Sequence, residues 1–319
     1  MSTKKKEKIS IIIPCYNEEE MIDLCHSSVC AVLDKLNDHE TEIIYVNDGS
    51  KDNTYNKLLE IRKSDKRAII INLSRNFGKE AAMTAGINNA DGDAIIILDA
   101  DLQDPPDLIP DLIKVWKKED ADVVYGQRVQ REGETWVKKA TARAFYRLMG
   151  YISNTEIPRN TGDFRLMNRR ATDALIQLKE RHRFLKGMFA WVGYKQVALL
   201  YSRAPRAAGN TKWNYFKLLD FALEGITAFS ILPLRIASFC GFLISFFAFA
   251  FGGFIILKTL FFGADMPGYA SLMVMITFLS GIQLLCIGIL GEYIGRIFGE
   301  TKNRPLYFIE NIHGRKEHS

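Results

Sequence analysis

The sequence predicts an α/β fold, a mostly parallel sheet covered by helices, followed by a pair of membrane-crossing helices. Three observations lead there. Apolar, β-branched runs alternate five times with helical segments between residues 9 and 126, the pattern of a sheet with helices on both faces. Each of those runs ends in polar residues: "PCYNE", "NDGS", "SRNFGK", "DADLQD" and "GQR". Two later runs, 236–257 and 269–291, contain no charged residue, and each reaches the roughly 20 residues that a helix needs to cross a bilayer.

Taken in order, residues 9–13 read as a buried strand closed by Pro14. Met21, Leu24, Val29, Val32, Leu33 and Leu36 recur at helical spacing over 18–36. Residues 43–46 form a second strand, and Asp52 can cap a helix that runs to about Arg62. A third strand spans 68–73, and an alanine-rich helix spans 78–89. The fourth strand, 94–98, ends in three closely spaced acids, Asp99, Asp101 and Asp104. Asp104 before Pro105 and Pro106 reads as a helix cap, with proline in the first turn of a helix reaching about Lys118. The fifth strand is 123–126. Ligands on such sheets sit beyond the carboxyl ends of the strands.

The second half is less regular. Residues 138–152 suit an amphipathic helix with Arg143 and Arg147 on its polar side. "NTGDFRLMNR", 160–169, reads as a loop or short strand, and 201–213 as an aperiodic loop. Residues 215–229 form an amphipathic, aromatic-rich helix, suited to the membrane interface because it precedes an apolar span. The link 258–268 is too short for a domain, so the two spans pair as a hairpin with both outer ends on one side. Arg235, Arg296, Lys302, Arg304, Arg315 and Lys316 lie on that side, against Lys258 and Asp265 at the tip, which places both ends in the cytosol. The resulting division is a catalytic domain over 1–213, an interface helix over 214–233, two spans within 234–298 (about 235–258 and 269–291), and a polar cytosolic tail over 299–319.

Composition narrows the class. A net charge of +5 is too mild to argue for nucleic acid. Basic residues cluster at 128–147, 159–170, 179–186 and after 296, which suits an anionic substrate or membrane surface. "MSTKKKEK" is basic, but "ISIIIP" behind it is too short for a signal core, so the N-terminal part is expected in the cytosol. Five cysteines form no disulfide framework. Cys25, His26 and Cys30 suggest a metal site only faintly, because no second His/Cys pair completes a zinc set, and a structural role is expected for them. The first turn lacks the glycine fingerprint of a dinucleotide-binding oxidoreductase.

The chemistry is concentrated at the strand ends. Asp99 and Asp101, two apart, point to the same side of an extended chain. Two such carboxylates make half of a hard-cation site, with water and phosphate filling the rest of the shell. Asp163 in "TGDFR" is a further candidate carboxylate, and Arg165 lies two residues on. Arg128 ends the fifth strand, where a guanidinium can grip phosphate bidentately. Arg206, Gly209 and Lys212 lie in the aperiodic loop, where the alternative to a ligand role is attraction to anionic lipid.

In this order, "IIIPCYNEEE", "YVNDGSKDNT", "SRNFGKEAAMTAG", "ILDADLQDPP", "VYGQR" and "TGDFRLMNR" resemble the family 2 nucleotide-sugar glycosyltransferases of the GT-A fold. The likeness is greatest to the polyprenyl-phosphate glycosyltransferases, such as dolichol-phosphate mannose synthase and the bactoprenol glucosyltransferases, and with the paired spans it covers nearly the whole chain. It implies that Pro14, Tyr16, Glu18, Val46 and Asp48 hold the nucleoside, with Asp48 accepting from the base. Asp99 and Ala100 would lie at the ribose or sugar, Asp101 at a Mg²⁺ or Mn²⁺ ion to which Asp99 also contributes, and Gln103 near the diphosphate. Arg128, Arg206 and Lys212 would neutralise the diphosphate, Arg128 would also meet the acceptor phosphate, and Arg165 would pair with Asp163 or with the acceptor phosphate. Asp163 would orient the acceptor or the sugar, or act as base. The implied reaction is inverting transfer of a sugar, with UDP-glucose the first choice of donor, to undecaprenyl phosphate at a bacterial cytoplasmic membrane. Self-association stays open, since the aromatic-rich stretch 242–262 can pack against a second copy or against lipid. Two rivals are a processive polysaccharide synthase, against which stand only two spans and no Q-x-x-R-W motif, and a non-catalytic membrane scaffold, against which stand the intact acids at 99 and 101.

Overall fold

The computed structural model describes residues 6–129, 158, 161–181, 183–201, 232–263 and 268–315. They fall into two compact units, one spanning Met1–Leu218 with Arg304–Ser319 and the other Leu219–Asn303.

The first unit is built on an eight-stranded sheet of order β7-β5-β6-β4-β1-β2-β3-β8. Its strands are β1 (Glu7–Cys15), β2 (His39–Asn47), β3 (Ala68–Leu73), β4 (Ala94–Ile97), β5 (Val123–Arg128), β6 (Thr161–Asn168), β7 (Gln196–Tyr201) and β8 (Ile309–His313). β1 pairs in parallel with both β2 and β4, β2 with β3, and β5 with β7. β6 runs antiparallel between β4 and β5, and β8 runs antiparallel along β3. β1 is therefore where the strand order reverses, the place where sheets of this kind open a ligand crevice.

Local chemistry explains the elements. Ile9, Ile11, Ile12 and Ile13 are fully buried in β1, as a central strand with both faces covered requires. Helix α1 (Ile22–Leu33) buries Ile22, Cys25, Val29, Val32 and Leu33, a single stripe at helical spacing. Helix α2 (Thr54–Ser64) opens with Asp52 accepting from the backbone N and hydroxyl of Thr54. Helix α3 (Lys79–Asn88) is made of small residues because it lies close on β1: a side chain at Gly86 would overlap Ile12. A short 3₁₀ turn, Pro106–Leu108, leads into α4 (Ile109–Glu119), and α5 (Arg169–Gln177) and α6 (Leu185–Trp191) follow β6.

Two segments differ from the sequence expectation. Within "NTGDFRLMNR", Thr161–Asn168 form β6, inserted into the sheet with Ile97 opposite Arg165, and Arg169 opens α5. The tail returns to the sheet as β8, fastened by Asn72 to Glu310, Tyr55 to His313, Asn88 to Tyr307 and Arg315 to Asp91. The amphipathic helices expected over 138–152 and 215–229 lie outside the described residues, as do Arg206, Gly209 and Lys212.

Gly49 follows β2 with φ +61°, and a Cβ there would overlap the backbone of Arg75 and Asn76. The loops after β2 and β3 therefore meet backbone to backbone. Gly49→Ala is expected to cost about 1–3 kcal/mol, from overpacking and left-handed strain together, and a thermal melt in detergent would read it as a lowered Tm.

The second unit holds α7 (Leu232–Phe262) and α8 (Tyr269–Thr301). Their apolar windows, Leu234–Phe254 and Val274–Thr301, have mean hydropathies of 1.9 and 2.1, and neither is buried inside the molecule. Both are long and apolar enough to cross a membrane. Phe239, Phe242, Phe246, Phe247 and Phe249 are exposed along α7, far more apolar surface than a water-facing helix displays.

Candidate active site at the carboxyl edge of the sheet

Parallel strands bring their carboxyl ends to one edge. That edge carries Pro14 at the end of β1 and Tyr16 just after it, Asp48 after β2, Asp99 and Asp101 after β4, and Arg128 at the end of β5. Because β6 runs the other way, its first residues lie at the same edge. With Ile97 opposite Arg165, the register carried two positions further sets Asp99 opposite Asp163.

Lys79 joins these two acids. It is the first residue of α3, and its Nζ lies 2.6 Å and 2.8 Å from the two carboxylate oxygens of Asp99 and 2.6 Å from Asp163 Oδ2. Burial pushes the Asp163 carboxyl up, but Lys79, Lys186 and Arg165 outweigh it and hold the group at about 2. Lys79 is itself pushed well above its ordinary value: burial opposes its charge, and the two carboxylates override that. Sequence reading leaves Lys79 out of the site, since a lysine just inside a helix start can be simple surface charge, and it does not single out Lys186 of α6. Neither carries a local signal, because the partners are distant in the chain.

Asp101 lies on the turn that follows. Its Oδ1 accepts from the backbone N of Gln103 at 3.1 Å, across Leu102 at φ +53°. Leu98 and Ala100 are buried while Asp99 and Asp101 are partly exposed. Oxygen donors on a partly exposed turn fit a hard divalent cation that keeps water and phosphate in its shell. Gln103 is 3% exposed, and its Nε2 has no acceptor among the described residues, which marks a donor kept for a ligand or a water.

Asp48 is 2% exposed and supports the loop after β3, accepting from the backbone N of Phe77 at 2.7 Å and of Gly78 at 2.9 Å. Burial raises its carboxyl despite those two bonds. Tyr16 is exposed, while Val46 and Ala100 are buried. Glu18 donates its backbone N to Thr54 Oγ1 and accepts from the first turn of α1. Beside Asp48, Arg75, Phe77 and Gly78 face Arg304, Leu306 and Phe308 of the returning tail across a cleft of about 590 Å³.

Two sequence expectations change. Asp104 is not the cap residue: Pro105 occupies the cap of the 3₁₀ turn, and Asp104 is fully buried, accepting from Tyr201 Oη and lying 3.5 Å from Arg128. Arg128 is thus held by Asp104 and by Tyr201 Oη at 3.2 Å, which orients its guanidinium at the edge. Arg165 is 4% exposed and is not presented to a phosphate. Its guanidinium donates to the carbonyls of Gly162 and Asp163 and stacks 3.7 Å above Phe189. Burial lowers its pKa to about 10.

With that geometry in place, comparison with known proteins is informative. Residues 10–176 match the model of glycosyl transferase family 2. An uncharacterized glycosyltransferase of Synechocystis sp. is 52% identical over 96% of this chain and 96% of its own. A prophage bactoprenol glucosyl transferase homolog of Escherichia coli is 46% identical over 96% of this chain and 99% of its own. The bactoprenol glucosyl transferase of Shigella phage SfII is 45% identical, over 96% and 98% respectively.

Proposed function

We infer the reaction from one premise: the chain belongs to glycosyl transferase family 2, and it is an enzyme that transfers a sugar. The reading is that it moves glucose from UDP-glucose to a polyprenyl phosphate such as undecaprenyl phosphate, at the cytosolic face of the membrane crossed by α7 and α8. The near full-length likeness to bactoprenol glucosyl transferases supports the donor and the acceptor. The observation that carries it is the convergence of Asp48, Asp99, Asp101 and Asp163 on one sheet edge, with Lys79 tying the last acid to the second.

The mechanism is a single displacement. A lipid monophosphate is already ionised at neutral pH, its second pKa being about 6, so its oxygen attacks the anomeric carbon without a base. The bond from that carbon to the diphosphate breaks, the nucleoside diphosphate leaves, and the configuration inverts. Asp163, held at about 2, is too weak a base to take a proton; it orients the sugar and stabilises the positive charge that develops at the anomeric carbon. Lys79 keeps Asp163 ionised and fixes it against Asp99. Asp101, with Asp99 beside it, would hold Mg²⁺ or Mn²⁺, which spreads the charge of the leaving diphosphate. Pro14, Tyr16, Glu18, Val46 and Asp48 surround the nucleoside, and Ala100 and Gln103 the ribose, sugar and diphosphate. Arg128 meets phosphate from the end of β5. Arg206 and Lys212, outside the described residues, complete the neutralisation of the leaving group by family resemblance.

The test uses the purified chain in detergent with undecaprenyl phosphate, Mg²⁺ and a panel of radiolabelled UDP- and GDP-sugars. Label is expected to enter the organic phase from UDP-glucose. Transfer from a different donor alone would overturn the choice of glucose, and UDP binding without transfer from any donor would overturn the enzymatic reading in favour of a scaffold.

A further inference from the structure

A second cluster of ligating side chains lies outside the acidic edge. His26 and Cys30, one helical turn apart on α1, face Asp65, which leads from α2 into the amino end of β3. We propose that His26, Cys30 and Asp65 bind a zinc-type divalent cation through Nε2, Sγ and Oδ2.

The spacing supports it. Cys30 Sγ lies 3.6 Å from His26 Nε2 and 3.4 Å from Asp65 Oδ2, and His26 Nε2 lies 3.9 Å from that oxygen. Tetrahedral zinc with bonds of about 2.3 Å to sulfur and about 2.0–2.2 Å to nitrogen and oxygen separates its ligands by about 3.3–3.6 Å. Two of the three separations are already there, and the third closes with a small turn of the imidazole.

The surroundings orient the same atoms. Tyr45 Oη lies 2.9 Å from His26 Nδ1, which leaves Nε2 for a cation. Arg67 fixes Asp65 through its backbone N at 2.8 Å and its guanidinium at 2.8–3.1 Å. Such outer partners are the usual supports of ligating histidines and carboxylates. Charge balances as well. Arg67 also pairs with Asp34 at 2.7 Å, so a Cys30 thiolate, Asp65 and Asp34 exceed Arg67 by two negative charges, which a divalent cation closes. As the metal–sulfur bond forms, the Cys30 proton leaves to solvent. All three side chains are partly exposed, leaving an entry path and a fourth position for water. A thiolate and an imidazole select zinc or cobalt over magnesium, so this site and the acidic edge differ in the ion they take. Asp65 is the donor that sequence spacing hides, 35 positions from Cys30.

The test titrates the metal-free full chain in detergent with Co²⁺, following the near-ultraviolet thiolate-to-cobalt charge-transfer band and the visible bands of tetrahedral cobalt. One equivalent is expected to develop both, and Zn²⁺ to abolish them. Cys30→Ser and His26→Gln are each expected to lose the charge-transfer band or weaken cobalt affinity at least tenfold, and Asp101→Ala to keep it. Both variants should retain the wild-type circular dichroism and sugar transfer, which separates loss of the site from loss of the fold. The absence of any band, or a band that survives Cys30→Ser at full strength, would overturn the proposal.

Discussion

Asp101→Ala is expected to lower sugar transfer by about 10³-fold, the scale on which removing one centre of transition-state charge stabilisation acts. The side chain is partly exposed on the turn after β4, and its Oδ1 accepts from the Gln103 backbone N at 3.1 Å. Losing that bond costs the fold about 1 kcal/mol, a few degrees in melting temperature. What disappears is the carboxylate proposed to hold the cation against the leaving diphosphate. Asp101→Asn separates the two roles, since the amide oxygen can keep the turn but carries no charge. Both variants should be similarly inactive in the radiolabel assay, and raising Mg²⁺ or Mn²⁺ should recover little. Near wild-type turnover in Asp101→Asn would remove Asp101 from the chemistry and leave it as a turn residue.

Lys79→Met should be the second large loss, about 10²-fold in transfer, with a changed pH profile. Lys79 is the shared partner of Asp99 and Asp163 at 2.6 Å from each. Without it two carboxylates face each other, and burial, which favours the neutral acid, acts on Asp163 with its largest opponent gone. The sign follows from the direction of the shift. A carboxyl held at about 2 is ionised through the whole neutral range. The stability it contributes is complete above the ordinary carboxylate pKa of about 4, and is lost as pH falls from there towards the folded value. In Lys79→Met the Asp163 carboxyl rises, so transfer should fall more steeply on the acid side than in the wild type, where protonation of the acceptor phosphate near about pH 6 sets the limb, and the acid-side loss of stability should begin at higher pH. Lys79→Arg, which keeps the charge, should restore part of the rate and most of the profile. Superimposable pH–rate curves for the wild type and Lys79→Met would end the idea that this lysine sets the state of Asp163.

Much of this site was legible before any coordinates. Asp48, Asp99 and Asp101 could be placed because each ends a β-branched run, and parallel strands deliver their ends to one edge. Pro14 and Tyr16 follow by the same rule. Asp104 misled, because an acid before two prolines has the local chemistry of a helix cap, while its actual partners, Arg128 and Tyr201, lie 24 and 97 positions away. Arg165 misled too. Two residues from Asp163 on one strand, it shares a side with that acid, yet Phe189 and the carbonyls of Gly162 and Asp163 hold it in the interior.

The sequence by itself determined the α/β class, the first five strands, the edge on which the ligand chemistry gathers, and two segments too apolar for water. These are local or periodic properties, set by side-chain type and by the alternation of strand and helix. Only the tertiary structure decided that β6 enters the sheet between β4 and β5, that the tail closes the far side as β8, and that Lys79 reaches Asp163 across 84 positions and ties it to Asp99. Pairing between distant segments is selected by the packing of the whole core and leaves no period in the chain. A charge network assembled by such pairing is legible only once the strands are in register.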